Sequence, residues 1–208
     1  MSTNDIRIGV HGSRGKLGKL IIQEGGALCY PLQRNEIPDE LSIIIDVSSA
    51  QGTKELITRL NGEALLVGTT GELPWDDLEE YAKLAPVAVV PNFSVGIPLL
   101  LELINNAVQL LPEGWDIEIV EVHHNQKKDA PSGTAKRLLR TIEKYGYANI
   151  ACHALRVGDT FGEHTVWLCG PGERLELKHV ATKREVFAIG AIRWAKWLIK
   201  QPNGLIKP

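Results

Sequence analysis

The sequence predicts an α/β chain in which a parallel-sheet unit is joined to a smaller α+β unit with a mixed sheet. Three observations predict it. Short apolar strand patterns alternate with helical ones through the first 95 residues. From residue 115 that rhythm gives way to strand patterns that follow one another. Glycines recur at every third position directly after the first apolar run. With 208 residues, 44% of them hydrophobic, the chain has material for one or two compact domains, and its composition opposes disorder.

Taken in order, Ile6, Ile8 and Val10 alternate ahead of Gly12 and predict a first strand, and Leu17, Leu20 and Ile21 at helical spacing predict the helix after it. ALCYPL at 27–32 reads as a short second strand. SIIIDVSS at 42–49 and ALLVGTTG at 64–71 read as strands running into loops, separated by a helical LITRL region, and VAVVPN forms a further strand ending at Asn92. Strand, crossover and strand in repetition favour a parallel sheet with right-handed connections. Leu99, Leu100, Leu103, Ile104, Ala107, Leu110 and Leu111 make a broad apolar helix face within 95–111, with Pro98 in the first turn and Pro112 and Gly114 past the end. IEIVEV then begins a second series: a strand, a polar loop, a helix near 134–145, and strands near 152–157, 163–168 and 173–180. A final helix at about 185–200 presents Phe187, Ala191, Trp194, Ala195 and Leu198 and is expected to return to the first domain. The expected organisation is a first domain of residues 1–95 plus 185–208, a connecting helix at 96–111, and a second domain at 112–184.

Charge and cysteine usage exclude several classes. With 23 basic and 25 acidic residues the formal charge is −2, which offers no long-range field for nucleic acid or an anionic membrane. Cys29, Cys152 and Cys169 are isolated, without paired metal-ligand spacing, and fit a reduced cytoplasmic protein without a metal better than a disulfide scaffold. The start MSTNDIRIGVHG lacks a basic leader with an apolar core, and no run approaches 18 apolar residues, so neither export nor a membrane span is expected.

GVHGSRGKLG places Gly9, Gly12, Gly15 and Gly18 three apart after the first strand. Gly12 and Gly15 allow the backbone to curve beside a pyrophosphate, Gly18 lets the helix approach the sheet, and the helix amides attract phosphate. The string is GxxGxxG rather than the strict GxGxxG, so another phosphate or a plain turn stays open locally, while the parallel-sheet context favours a dinucleotide. Arg14 and Lys16 serve either as phosphate contacts or as solvent-facing charges. The phosphate status of the cofactor turns on the residue after strand two, and neither Arg34 nor Glu36 aligns securely with its end. NADPH and NADH both fit, with NADPH slightly favoured. In GTTG the glycines Gly68 and Gly71 permit a turn, and Thr69 and Thr70 offer hydroxyls. In PNFSVG the backbone around Asn92 and Phe93 lines the same expected site, with Ser94 as a candidate helix cap.

EVHHNQKKDAPSGTAKRLL, residues 121–139, carries the most chemistry. Adjacent strand residues point to opposite faces, so His123 and His124 need not share a task, and two histidines alone make an incomplete zinc set. Lys127 adds positive charge, and SGTA opens a helix whose amides can receive a carboxylate. These features fit a small polar substrate bearing at least one carboxylate. His11 and His153 have no supporting motif and are expected in structural or surface roles.

With GxxGKLG at 12–18, GTTG at 68–71, NFSVG at 92–96, EVHHNQKKDAPSGTA at 121–135 and HVATKREVFAIGA at 179–191, the sequence resembles the dihydrodipicolinate reductase family, also called 4-hydroxy-tetrahydrodipicolinate reductases, over most of its length. The resemblance implies a Rossmann-like cofactor domain, a smaller mixed-sheet substrate domain and a homotetramer. It implies His123 as proton donor, Lys127 assisting proton transfer and charge stabilisation, and His124 joining Lys127 at the substrate. It further implies Ser132, Gly133 and Thr134 as holders of a ring carboxylate. The loop from Gly12 through Ser13, Arg14, Gly15, Lys16 and Leu17 to Gly18 would position the cofactor, with the GTTG loop near its nicotinamide. Arg184 falls at a recurring basic position, a cofactor contact by resemblance and a helix-surface cation by its local text. The implied reaction is NAD(P)H-dependent reduction of (2S,4S)-4-hydroxy-2,3,4,5-tetrahydrodipicolinate to 2,3,4,5-tetrahydrodipicolinate with loss of water, in the diaminopimelate route to lysine. Lys16 and Leu17 replace the family's common Arg-Met pair, and the chain is shorter before DVSS and in the second domain. These departures bear on cofactor preference and on the tetramer, for which a dimer is the next expectation. A reductase of another small dicarboxylate or semialdehyde, or a noncatalytic cofactor-responsive regulator, are the competing readings; the complete central segment opposes the regulator.

Overall fold

The computed structural model describes residues 6–33, 37–38 and 40–207; Arg34 and Glu36 lie outside the described residues. Two compact units result. The first contains the described residues through Phe93 and those from Glu185 onward, and the second is Ser94–Arg184.

The first unit opens with β1 (Ile8–His11), α1 (Lys16–Gly25), β2 (Cys29–Pro31), β3 (Ile43–Asp46), α2 (Ala50–Ile57), β4 (Ala64–Val67), α3 (Trp75–Tyr81) and β5 (Pro86–Val89). The strands are apolar on both faces because helices cover both. Alternation sends Ile43 and Ile45 of β3 to one core with Ile8, Val10, Leu66 and Ile21. It sends Ile44 to the other with Leu65, Val67, Leu56, Leu78 and Tyr81. The helix expected over LITRL starts earlier: Ser49 accepts from the Gly52 N–H and caps α2, which ends at Ile57, so LITRL supplies only its last turn.

The second unit comprises α4 (Gly96–Leu110), β6 (Asp116–His123), α5 (Gly133–Glu143), β7 (Ala151–Arg156), β8 (Glu163–Gly170) and β9 (Glu173–Val180). Its sheet has the order β7-β6-β8-β9. The β6–β7 pair, joined through α5, is parallel, and the other pairs are antiparallel. Ile117 and Ile119 of β6 and Val166 and Leu168 of β8 pack with Ile104 and Val108 of α4 and Leu138 and Ile142 of α5. The opposite face carries the cross-strand row Glu118, Trp167 and Glu176, and beside it Val120, Thr165 and Lys178.

After the second unit, α6 (Glu185–Leu198) and β10 (Gly204–Ile206) complete the first. Ala188, Ala191, Ala195 and Leu198 enter the core of β1, β3 and α1. The helix comes so close that a Cβ at Gly190 would lie 1.9 Å from the Phe93 carbonyl oxygen. With β10 the sheet has six strands in the order β10-β5-β4-β3-β1-β2, every pair parallel. No helix of the described residues is long and apolar enough to cross a membrane.

Candidate active site

In β6, alternation puts Glu121 and His123 on the same face as Ile117 and Ile119, at the end of the strand beyond the apolar core. Glu121 is wholly buried and accepts a set of converging donors. His123 Nδ1 meets Oε2. The Arg156 guanidinium, from the end of β7, donates to Oε1 at 2.8 Å and to Oε2 at 3.0 Å, a bidentate fork. The Ser132 N–H donates to Oε1 at 3.0 Å. Arg156 also donates to the Asp129 carbonyl oxygen at 2.5 Å, tying the loop after β6 to the same point.

That loop is further fixed by the His124 N–H donating to the Thr160 carbonyl at 2.8 Å and the Lys127 N–H donating to the His124 carbonyl at 3.1 Å. Lys127 Nζ is 2.7 Å from Asp129 Oδ1. His124 follows the last residue of β6 and is half-buried, whereas His123 is buried, so the two separate as strand alternation requires. Ser132 caps α5, its Oγ accepting from the Ala135 N–H at 3.2 Å. Its hydroxyl also lies 3.3 Å from His164 Nε2. Gly133, exposed, and Thr134 follow in the first turn, where the helix end is electropositive.

Three histidines stand side by side across this end of the sheet. The His123 and His164 rings meet edge to face at 5.1 Å, and His164 and His179 are 6.5 Å apart. A Cβ at Gly162 would come within 3.1 Å of His123 Nε2, so glycine leaves that edge of the imidazole uncrowded. Burial pushes His123 below the ordinary histidine value; the Glu121 carboxylate opposes this, while Lys127 and Arg156 add to it. Burial takes His164 down to about 3, aided by His123. For Glu121 burial raises the pKa, yet the bonds from Arg156, His123 and the Ser132 N–H outweigh it and hold the group below its ordinary value.

The first unit gathers its own cluster. Gly12 has φ +82°, and a Cβ at Gly18 would lie 2.2 Å from the Gly12 carbonyl oxygen, so the loop and α1 approach closely only as glycine. Gly15 caps α1 without a side-chain bond, no acidic residue stands in the first turn, and Arg14 and Lys16 are exposed beside it. This is a cradle suited to a phosphate. At the end of β3, Asp46 is wholly buried and ties the loops together. It bonds His11 Nδ1 at 2.8 Å, Ser48 Oγ at 2.6 Å, Thr53 Oγ1 at 2.5 Å and Thr69 Oγ1 at 3.2 Å. Burial raises the Asp46 pKa, but the bonds from His11, Ser48 and Thr53 bring it below the ordinary carboxylate value. Thr69 thus gives its hydroxyl to Asp46, and Thr70 is exposed.

Other expected positions take particular places. The Phe93 side chain is core, its ring lying where a Cβ of Gly68 would be, within 2.3 Å, and Asn92 is half-buried before it. Val95 rather than Ser94 occupies the cap position of α4, and Ser94 Oγ lies 3.0 Å from His179 Nε2. Arg184 belongs to the second unit, with its guanidinium 5.6 Å from the centre of the Phe161 ring. His153 pairs with Glu118 at 2.6 Å on the surface. Sequence reasoning missed Glu121, Arg156, His164 and Asp46. An acid closing the apolar run IIID, and another two residues before His123 on the same strand face, were the available signals.

Known proteins resemble this chain in sequence and in fold. Residues 96–207 match the family described as dihydrodipicolinate reductase, C-terminus. A 4-hydroxy-tetrahydrodipicolinate reductase of Lawsonia intracellularis is 34% identical, with 96% of each chain covered. One of Thermosipho africanus is 37% identical over 96% of this chain and 94% of its own. Among solved structures, dipicolinate-bound dihydrodipicolinate reductase from Paenisporosarcina sp. TG-14 shares the fold with a TM-score of 0.75, at 21% identity over 97% of both chains. By its motifs, its two sheets and these relatives, the chain belongs to the dihydrodipicolinate reductase family.

Proposed function

We propose that the protein reduces (2S,4S)-4-hydroxy-2,3,4,5-tetrahydrodipicolinate to 2,3,4,5-tetrahydrodipicolinate at the expense of NADPH or NADH, the lysine-pathway reaction named by its relatives. The observation that carries the reading is His123, held on Glu121 at the end of β6, in one cluster with the Ser132 amide that opens α5 and directly before the loop that carries Lys127.

The first unit is the cofactor domain, with the Gly12–Gly18 loop and the α1 amides receiving the pyrophosphate. The bound nicotinamide supplies hydride. NADPH is favoured over NADH because Arg14 and Lys16 bring positive charge to that loop. The second unit binds the substrate and carries the assembly surface. Ser132, Gly133 and Thr134 hold one ring carboxylate at the start of α5, and His124 and Lys127 compensate negative charge. The substrate loses its 4-hydroxyl as water, hydride reaches C4, and His123 delivers the proton to C3 from Nε2, with Lys127 assisting. One hydride and one proton are consumed for each product and each water formed. A carboxylate arriving near His123 favours its imidazolium and offsets the lowering by burial, so substrate binding itself charges the donor.

The test is absorbance at the nicotinamide band with substrate generated freshly from pyruvate and aspartate semialdehyde. Oxidation of the reduced cofactor is expected only when the cyclic dicarboxylate is present, and side-by-side NADPH and NADH rates rank the two. Cofactor binding without oxidation under conditions where a control reductase works would overturn the reading. Turnover of an unrelated carbonyl alone would replace it with the other reductase.

A further inference from the structure

We propose that Glu121 is a positioning residue for the proton transfer, fixing His123 as the Nδ1–H tautomer so that Nε2 exchanges the proton, with Arg156 locking the carboxylate. The proposal rests on the reading that His123 is the donor. An ionised carboxylate only accepts hydrogen bonds, so the nitrogen facing it must carry the hydrogen. Here that nitrogen is Nδ1, facing Glu121 Oε2. The carboxylate cannot turn away, because the Arg156 fork takes both oxygens and the Ser132 N–H takes Oε1. Nε2 is left on the edge that Gly162 keeps uncrowded. Because Ser132 also begins the proposed carboxylate cradle, one buried anion sets the donor and the cradle in register.

The charged and titratable groups around His123 sharpen the expectation. They are Glu121 on its own strand, Arg156 from β7, His164 from β8 with His179 of β9 beyond it, and Lys127 with its partner Asp129 from the loop. Glu121 favours the imidazolium, whereas burial, Lys127 and Arg156 oppose it. In Glu121→Gln the amide oxygen is retained by Arg156 and Ser132, and the amide nitrogen turns to Nδ1, which must then accept. Nε2 of the neutral ring then carries the hydrogen and is a poor acid.

The experiment uses the full chain with 15N-labelled histidine. Long-range proton–nitrogen spectra above the histidine titration range, with His123 assigned by its loss in His123→Gln, should show Nδ1–H in the unsubstituted protein. An Nε2–H ring at His123 in a chain that turns over the dicarboxylate would overturn the proposal and leave the function standing. A chain that binds cofactor but does not turn over would defeat the function instead. Glu121→Gln should lower kcat on the order of 100-fold. Its KM should change little, and the limb where kcat falls with rising pH should move to lower pH. A folded Glu121→Gln with unchanged tautomer and pH profile would reduce the contact to a staple between strands. Should that variant not fold, the tautomer of the unsubstituted chain decides.

Discussion

In the proposed function His123 and Lys127, which lie on one segment, have different duties. His123 is buried and oriented through Nδ1, whereas Lys127 is half-buried on a loop and pairs with an exposed Asp129. A group that gives up a proton during bond formation is felt in the transition state, while a cation compensating a carboxylate is felt from binding onward. Steady-state kinetics should therefore separate them. His123→Gln lowers kcat on the order of 100-fold with KM nearly unchanged. Lys127→Ala raises KM and lowers kcat together. Identical kinetic signatures in the two variants would remove the division. Both residues could be named as candidates from the sequence because they sit in one continuous motif. Arg156 could not: it lies 35 positions from Glu121 and reaches it only through the parallel pairing of β7 with β6.

At the scale of elements, the row that β6, β8 and β9 bring together has its own pH signature. His164 is 2% exposed, and its pKa falls from 6.5 to about 3 in the folded chain. With the folded pKa depressed, the neutral histidine's contribution to stability is complete above pH 6.5 and is lost as pH falls toward 3. Within that window each unit of pH costs up to about 1.4 kcal/mol for this group alone. His123 and His179 are shifted in the same direction. Denaturant midpoints measured from neutral pH to pH 4 should fall steadily, and His164→Asn should flatten the fall. An equal slope in that variant would contradict the assignment. The β8 strand was readable from its apolar alternation, but the burial of its histidine was not, since the cross-strand neighbours Glu121 and His179 come from distant text. Two elements escaped sequence reading altogether. α3 buries only Leu78 and Tyr81 in seven residues, and β10 has three residues, so neither displays a full period.

For the whole molecule, the second unit leaves a sheet face bearing Val120, Trp167 and Lys178, and its sheet ends in the edge strands β7 and β9. Association through this sheet would cover both liabilities. Light scattering over a concentration series should give about four times 22.9 kDa. Twice that mass would indicate the dimer, and a persistent single-chain mass would rule out obligate assembly. The alternation of strand and helix made the two-unit architecture legible; the order of strands in either sheet was set by pairings that no local pattern encodes. The closing of the first unit by α6 and β10 also orders events during synthesis. Its core is short of Ala188, Ala191, Ala195 and Leu198 until the ribosome has released the entire second unit, which is one uninterrupted stretch of chain. A nascent polypeptide stalled before α6 would expose Ile8, Ile43 and Leu66 to chaperones, while the histidine-bearing sheet could already have formed.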